Sequence, residues 1–367
     1  AYGILLGRPN FNSDGTIPND LGMWQPRVGI AWDVTGKGRS VIRSSFGVYS
    51  ARQNMLTQVS AITTNGVQQQ TIAAGPFNNI RPVWPNVVAA SASSCSGPLG
   101  VNPFPCFSGV HVFDRDYKNP RIYTFNAAFE QEVAADWALY FDFTYSKGTH
   151  LTRFLNPGRD PYFTFAPYLG DAFFHTSVGK SAYYGFTSGV RKRFSKNFQL
   201  EANYVYSRDK DDDSNERDPF TDRSFDPFHP ELDYALSDRD IPHKFNFYAF
   251  FELPWKFQFG PRFQARSAQP ATPANRTVNN RNTLRKDNEY FSFDWRLARP
   301  INFTETVQLI PQIEMFNTFN SDNFINSLSG PGNQNSLTAP SLFNFDGFLR
   351  QGIGDPRQLQ ISVRLVF

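Results

Sequence analysis

The chain has 367 residues, a net charge of +3, 38 Phe and 15 Tyr, yet a negative mean hydropathy of −0.44. That length suffices for one large domain or two ordinary ones, and the charge is too small to argue for a nucleic-acid partner. No run of about 18 apolar residues occurs, which excludes a transmembrane helix, and aromatic-rich but polar on average is what strands give when one face meets lipid and the other water.

Residues 1–26 read as loop, with Pro9, Gly15, Pro18 and Gly22. Nothing at Ala1 reads as a secretory leader, so an exported protein is expected to be represented here in mature or shortened form. The first strand runs from Arg27 to Val34, with Val28, Ile30, Trp32 and Val34 on one face. A polar turn, Thr35 to Arg39, leads to a second strand from Val41 to Ser50. A long region rich in Asn, Ser, Gly and Pro follows, over 51–119. It holds both cysteines, Cys95 and Cys106. In an exported protein these read as one small disulfide-closed loop, because a metal site would want more ligands.

Tyr123 to Val133 alternates Tyr123, Phe125, Ala127 and Phe129 against Thr124, Asn126, Ala128 and Glu130. A turn at Ala134–Asp136 leads to Trp137, Leu139, Phe141, Phe143 and Tyr145. A second long loop is expected over 147–182. Three more hairpins follow: Tyr183 to Phe194 turning at Ser195–Asn197 into Phe198 to Tyr206, His243 to Leu253 turning into Phe257 to Phe263, and Phe291 to Leu297 turning into Val307 to Met315. Pro261 and Pro311 fall inside predicted strands, where each implies a bulge or a local mis-assignment of the strand. The final strand alternates Leu359, Ile361, Val363, Leu365 and Phe367 against Gln358, Gln360, Ser362 and Arg364.

Connections alternate between short turns and long loops, so antiparallel strands would put all turns at one end and all loops at the other. Transmembrane barrels have this asymmetry. Trp32, Trp137 and Trp255 border short turns, while Tyr49, Tyr145, Tyr204 and Tyr206 lie toward long loops, as two aromatic girdles require. The fold class is all-β: an antiparallel transmembrane β-barrel with about eleven strands, an odd number that fits part of a larger barrel.

A family resemblance rests on Pro26–Asp33, Gly36–Lys37–Gly38, Val41–Tyr49, Glu314–Asn320 and Gly354 to Phe367. These stretches resemble TonB-dependent outer-membrane receptors, of the Oar-like group with a carboxypeptidase-regulatory-like domain. The resemblance implies a barrel of about 22 strands with a plug in its lumen, of which residues 1–367 match the C-terminal half. It implies the TonB complex as a partner through a region upstream of this chain, outer-membrane lipid around the strands, and the barrel-assembly machinery reading the terminal Phe367. The implied activity is uptake of a bulky nutrient such as an oligosaccharide, peptide or metal chelate. A passive porin-like channel and a surface adhesin or docking barrel are the competing readings.

Enzyme chemistry finds no support: HExxH, GxSxG and Walker A motifs are absent. Gly36 to Ser40 lacks phosphate-loop spacing and reads as a hairpin turn. His111, His150, His175, His229 and His243 are scattered without ligand spacing. The inward faces carry the candidate ligand-binding residues Asp142, Glu201, Asn203, Arg262, Arg266, Arg296 and Glu314, with Gln264 and Gln312. No resident cofactor is expected. The most distinctive stretch is 209–240, with twelve acids against Lys210, Arg217, Arg223 and Arg239. Asp209, Asp211 and Asp213 have the opening spacing of a calcium loop, but Ser214 and Phe220 stand where an EF-hand needs Gly and Glu. A solvated acidic loop and a calcium site are both open.

Overall fold

The computed structural model describes residues 12–53, 55–63, 110–156, 172–214, 224–273, 275–285, 289–321, 323, 325–326, 340–341 and 356–367. Cys95 and Cys106, and with them the disulfide expectation, lie outside these residues.

Eleven long strands make one antiparallel sheet. They are β1 (Arg27–Asp33), β2 (Ser40–Ser50), β3 (Arg121–Ala134), β4 (Trp137–Leu155), β5 (Ala172–Ser195), β6 (Phe198–Asp211), β7 (His243–Leu253), β8 (Phe257–Arg266), β9 (Tyr290–Ala298), β10 (Gln308–Phe316) and β11 (Gln358–Val366). Each pairs with its neighbours in sequence, from β1 to β11. The sheet does not close: among the described residues β1 pairs only with β2, and β11 only with β10. No helix among the described residues is long and apolar enough to cross a membrane.

The register carries a single apolar face through all eleven strands. Val28 opposes Phe46, Phe46 opposes Phe125, and Phe125 opposes Tyr145. The thread continues from Tyr145 to Tyr184, from Phe186 to Tyr206, and from Tyr204 to Phe245. It ends with Leu297 opposite Ile313 and Ile313 opposite Ile361. Since a slip of one residue would turn a strand's apolar set to the other face, this alignment fixes the pairing. Near the short turns, ring centroids lie 6.4 Å apart for Trp137–Phe198, 5.9 Å for Phe198–Phe251 and 6.4 Å for Phe251–Phe259. Such rows give one aromatic belt at the turn end.

The turns are built by backbone geometry. Lys196 (φ 50°) and Asn197 (φ 67°) join β5 to β6 with two successive positive φ angles, the signature of a type I′ hairpin. Between β1 and β2, Gly36 and Gly38 take positive φ. Their amides donate to Asp33 at 3.0 and 2.7 Å, so the amides of this phosphate-loop look-alike already hold an internal carboxylate. These hydrogen bonds, that from Gly38 foremost, hold the Asp33 carboxyl below its usual range.

Four sequence expectations need correction. Tyr49 opposes Ile122 on the polar face, with the Arg27 guanidinium 4.5 Å from its ring centroid, so it is no part of an outer aromatic belt. The region 147–182 is not a plain loop: β4 and β5 run well past Tyr145 and Tyr184 before they end. Their alternation fades there because this extension is covered on both sides. The region 51–119 contains a helix, α1 (Met55–Thr63), and a short strand Val110–Phe113 parallel to β5. Pro261 and Pro311 produce no bulge. The β7–β8 ladder lapses at Gly260–Pro261 and resumes at Arg262 in the same register. Pro311 stays in register with Val363 and accepts the Arg299 N–H at 3.1 Å where β9 ends.

The water-excluding core sits at the loop end rather than in the sheet. Val112, Phe113, Tyr117, Phe154, Phe173 and Phe174 are buried there. A polar inward face and a lipid-bathed outward face leave the membrane-spanning part of the wall no core of its own.

Candidate functional site

The inward face begins with residues whose alternation in the strands opposes the apolar set. Asp142, Glu201, Asn203, Arg262, Arg266, Arg296 and Glu314 all fall on it, as the sequence indicated. They form local clusters along a strip rather than one convergent pocket. On β6, Glu201 is the hub. It accepts from Tyr140 at 2.9 Å, from Tyr248 at 2.5 Å and from Arg191 Nε at 3.0 Å. Three neighbouring strands thus meet on one carboxylate. The Tyr140 ring lies where a Cβ on Gly189 would stand, 2.3 Å from its Cζ, so the bare glycine admits the ring. Tyr140, Arg191 and Tyr248 were not among the sequence candidates. The signal was available, because each opposes the apolar set in its own strand.

Next along the strip, Asn203 accepts from Asn246 at 3.0 Å, and Asn246 accepts from Gln264 at 3.3 Å. Asp142 accepts from Asn126 at 2.9 Å and Thr144 at 3.1 Å. Arg296 bonds Gln312 and lies 4.0 Å from Glu314, while Gln312 donates to Ser362 at 2.7 Å. Arg262 opposes Asp294 across β8 and β9. Arg266 lies 5.7 Å from the Tyr290 ring centroid, and its Nη1 is buried without a hydrogen-bond partner among the described residues. The wall therefore offers carboxylates, amides, guanidinium groups and phenols in alternation, suited to a hydrogen-bonding cargo or to protein filling the lumen.

Over the loop end of this wall sits a cap built from three connections. Its centre is Asp233, fully buried, at the end of a 3₁₀ turn Pro230–Asp233. Arg153, 1% exposed at the end of β4, donates to it at 2.8 Å and to Pro230 O at 2.8 Å. Arg276 is a second partner of Asp233. Arg281 donates to the Asp211 carboxylate at 2.7 Å and to the carbonyls of Asp211 and Asp233 at 2.7 and 2.9 Å. Arg285 binds the Asp240 carboxylate, which also accepts the Asp209 N–H at 2.6 Å. Asn282 donates to Asp238 at 2.7 Å. Asp211, Asp233 and Asp240 are thus neutralised by arginines of the next loop, 267–289, and by Arg153. A reading that balanced charge within 209–240 alone could not find them.

Asp209, Asp211 and Asp213 are not gathered into one cage. Among the described residues no group of three or more His, Cys, Asp or Glu side chains is placed to hold a metal ion, and Arg281 occupies Asp211. Burial, foremost, pushes the Asp209 and Asp212 carboxyls up to about 6. The histidines are less scattered than their spacing suggests: His111 Nδ1 and His175 Nε2 lie 3.3 Å apart inside the loop-end core. Phe367 ends the apolar face, 92% exposed.

A continuous apolar face, an opposed polar face and turns segregated from loops describe the wall of a membrane barrel, and comparison with known proteins agrees. A family model described as "Outer membrane beta barrel domain" matches residues 2–265. The chain belongs to this outer-membrane β-barrel family. Its location is accordingly the outer membrane, with the apolar face toward lipid. No curated protein matches the sequence. Among solved structures, the outer membrane transporter YddB from Escherichia coli is similar at 11% identity and a TM-score of 0.58, over 93% of this chain and 40% of that one. The FrpB iron transporter from Neisseria meningitidis gives 10% identity and a TM-score of 0.54, over 92% and 38%. The ferripyoverdine receptor of the outer membrane of Pseudomonas aeruginosa gives 10% and 0.53, over 94% and 33%. The chain spans well under half the length of each. At this identity the likeness is one of fold, and it is the fold of the TonB-dependent receptor barrels that the motifs resemble.

Proposed function

We propose that these eleven strands are part of the wall of a larger TonB-dependent receptor barrel that takes up a bulky nutrient: an oligosaccharide, a peptide or a metal chelate. The observation that carries the reading is the cap. A hydrogen-bonding lumen wall lies beneath loops that are packed and ion-paired, with Arg153 and Asp233 fully sequestered. Packed loops above a polar wall suit capture of a specific cargo better than free diffusion through an open mouth. The open edges of β1 and β11, and coverage of 40% or less of the three barrels named above, support a wall completed by other strands. In this reading the lumen strip contacts cargo or plug, and TonB supplies the energy.

The test is growth of a strain lacking the gene on limiting nutrients of each class, with and without TonB. The reading expects a nutrient-specific defect that the wild-type gene restores only when TonB is present. Restored uptake without TonB would favour a passive channel, and surface binding without uptake would favour an adhesin.

A further inference from the structure

At the loop end of the inward face, just beneath the cap, two strands set like charges side by side. Lys244 on β7 and Arg266 on β8 are direct partners in the antiparallel register, so their Cα atoms stand about 5 Å apart. Alternation with the outward Phe245 and Ala265 turns both toward the lumen, and both are half-buried. Like charges directly opposite one another destabilise a strand pair. An acid between them would remove that cost, yet among the described residues neither forms an ion pair. Arg266 adds an orphaned donor, since its Nη1 is buried without a hydrogen-bond partner among those residues. On its other side Arg266 opposes Tyr290, whose ring centroid lies 5.7 Å from the guanidinium carbon.

The carboxylates nearby are held elsewhere. Asp240 accepts the Asp209 N–H at 2.6 Å and pairs with Arg285 and Arg208. Asp294 opposes Arg262 and accepts from the Ser292 hydroxyl at 2.6 Å and the Asn317 N–H at 2.8 Å. Asp209 stands two inward positions beyond Val205, the β6 partner of Lys244, about 13 Å along the strand. Glu289, beside Tyr290, is exposed and pairs with neither cation. Lys244 and Arg266 therefore present unbalanced positive charge to the lumen.

Directly below them lies a row of amides. Asn246, two residues from Lys244, opposes Gln264 on β8 and Asn203 on β6, and the three are joined by hydrogen bonds of 3.0 and 3.3 Å. Each amide carries two donors and two acceptor sites, so the row keeps hydrogen-bonding capacity for a bound molecule.

We infer that Lys244 and Arg266 bind a carboxylate group of the cargo, with Asn203, Asn246 and Gln264 hydrogen-bonding the hydroxyl or amide groups beside it. The inference rests on the uptake reading and narrows it to carboxylate-bearing cargo. A guanidinium fork holds a carboxylate through two parallel N–H donors, and the ammonium adds a point charge. Partial burial strengthens that attraction relative to bulk water. Neutral cargo leaves the repulsion between the two cations standing, so the pair also selects against it. Within the cargo classes named above, uronate oligosaccharides and acidic peptides carry the group.

The test uses the full-length protein purified in detergent, where TonB plays no part. Reductive methylation under limiting reagent is followed by mass spectrometry of the peptide that holds Lys244. Only the unprotonated amine reacts, so a carboxylate bound to Lys244 slows the reaction. The probes are trigalacturonate and triglutamate, each compared with its methyl ester. The account expects at least one acid to slow methylation of Lys244 roughly tenfold at the top of its titration. Lys196, at a short turn, should react at an unchanged rate, and the esters should protect neither lysine. Arg266→Met should abolish the protection, and Arg266→Lys, which keeps the charge, should keep most of it. Heat-modifiable migration checks folding, and Arg266→Gln stands in if Arg266→Met does not fold. The acid that protects at the lower concentration tells a saccharide source from a peptide one. No protection by either acid, equal protection by an ester, or protection that survives in the folded variant would overturn the site. Lys244 that resists methylation with and without the acids is held by a carboxylate of the protein itself, which also overturns it. TonB-independent growth with the protection intact would instead strike the uptake reading and leave an anion site.

Discussion

At the scale of single residues, the cap depends on ionic groups that cannot reach water. Arg153 and Asp233 are sequestered at 2.8 Å, and Arg276 completes the pair. Removing one partner of a buried pair leaves the other charge desolvated, which costs roughly 3 kcal/mol or more. Arg153→Ala should therefore loosen the cap without unfolding the sheet. Limited proteolysis of intact cells should show faster cleavage within 209–240, while heat-modifiable migration stays normal. Unchanged cleavage would mean that Arg276 alone satisfies Asp233. The lumen hub behaves differently. Arg191 is half exposed beside Glu201, so this pair contributes little to stability; under the proposed uptake role it would meet cargo or plug.

At the scale of elements, the loop-end extensions of β4 and β5 respond to pH in two opposed ways. His175 is buried between Phe113 and Phe154, beside His111. Burial, with the charge on His111 second, holds its imidazole well below the ordinary value of 6.5. A depressed histidine stabilises the fold above its unfolded value, and that contribution is lost progressively as pH falls from there through its lower folded value. Asp209 and Asp212, raised from 3.8 to about 6, act with the opposite sign: their contribution is present below 3.8 and lost as pH rises through 6. Asp114, whose amide donates to the His175 carbonyl, is also raised by burial and opposes the histidine locally. Moving from pH 7.5 to 5.5 should speed hydrogen exchange, corrected for intrinsic rate, across 173–176 and 152–155, and slow it across 209–214. His175→Phe should flatten the first response only. An unaltered response in that variant would assign it to a group other than His175, and not to Asp114, whose contribution has the opposite sign. These extensions were poorly legible in the sequence for a physical reason. Alternation marks a strand with one wet and one apolar face, as in Phe141 to Tyr145. Where both faces are covered, as from Leu151 to Leu155, the period disappears. The eleven strands, their turns and the inward residues were legible because lipid and water enforce the pattern. Arg153, Arg281 and Arg285 were not, because they are separated from Asp233, Asp211 and Asp240 by whole strands and loops.

At the scale of the molecule, the account is of a wall: apolar outside, polar inside, turns at one end, a packed cap at the other, and open edges at β1 and β11. The unpaired ladder groups at those edges invite intermolecular pairing. Phe367 closes the apolar face, and a terminal aromatic there matches the signal that the family resemblance implies for assembly. Its deletion should lower outer-membrane abundance far more than Val366→Ala does, as read by immunoblot of fractionated membranes; equal abundance would remove any special role. The central claim is the division of faces, and one measurement reaches it directly. In a full-length protein with Cys95 and Cys106 replaced by serine, single cysteines at 201 through 206 carry a nitroxide, and relaxation by oxygen is compared with that by a water-soluble nickel chelate in bilayers. The account predicts strict alternation, with positions 202, 204 and 206 accessible to oxygen from lipid and 201, 203 and 205 shielded from it on the lumen side. Uniform accessibility along this stretch, or alternation of the opposite phase, would contradict it.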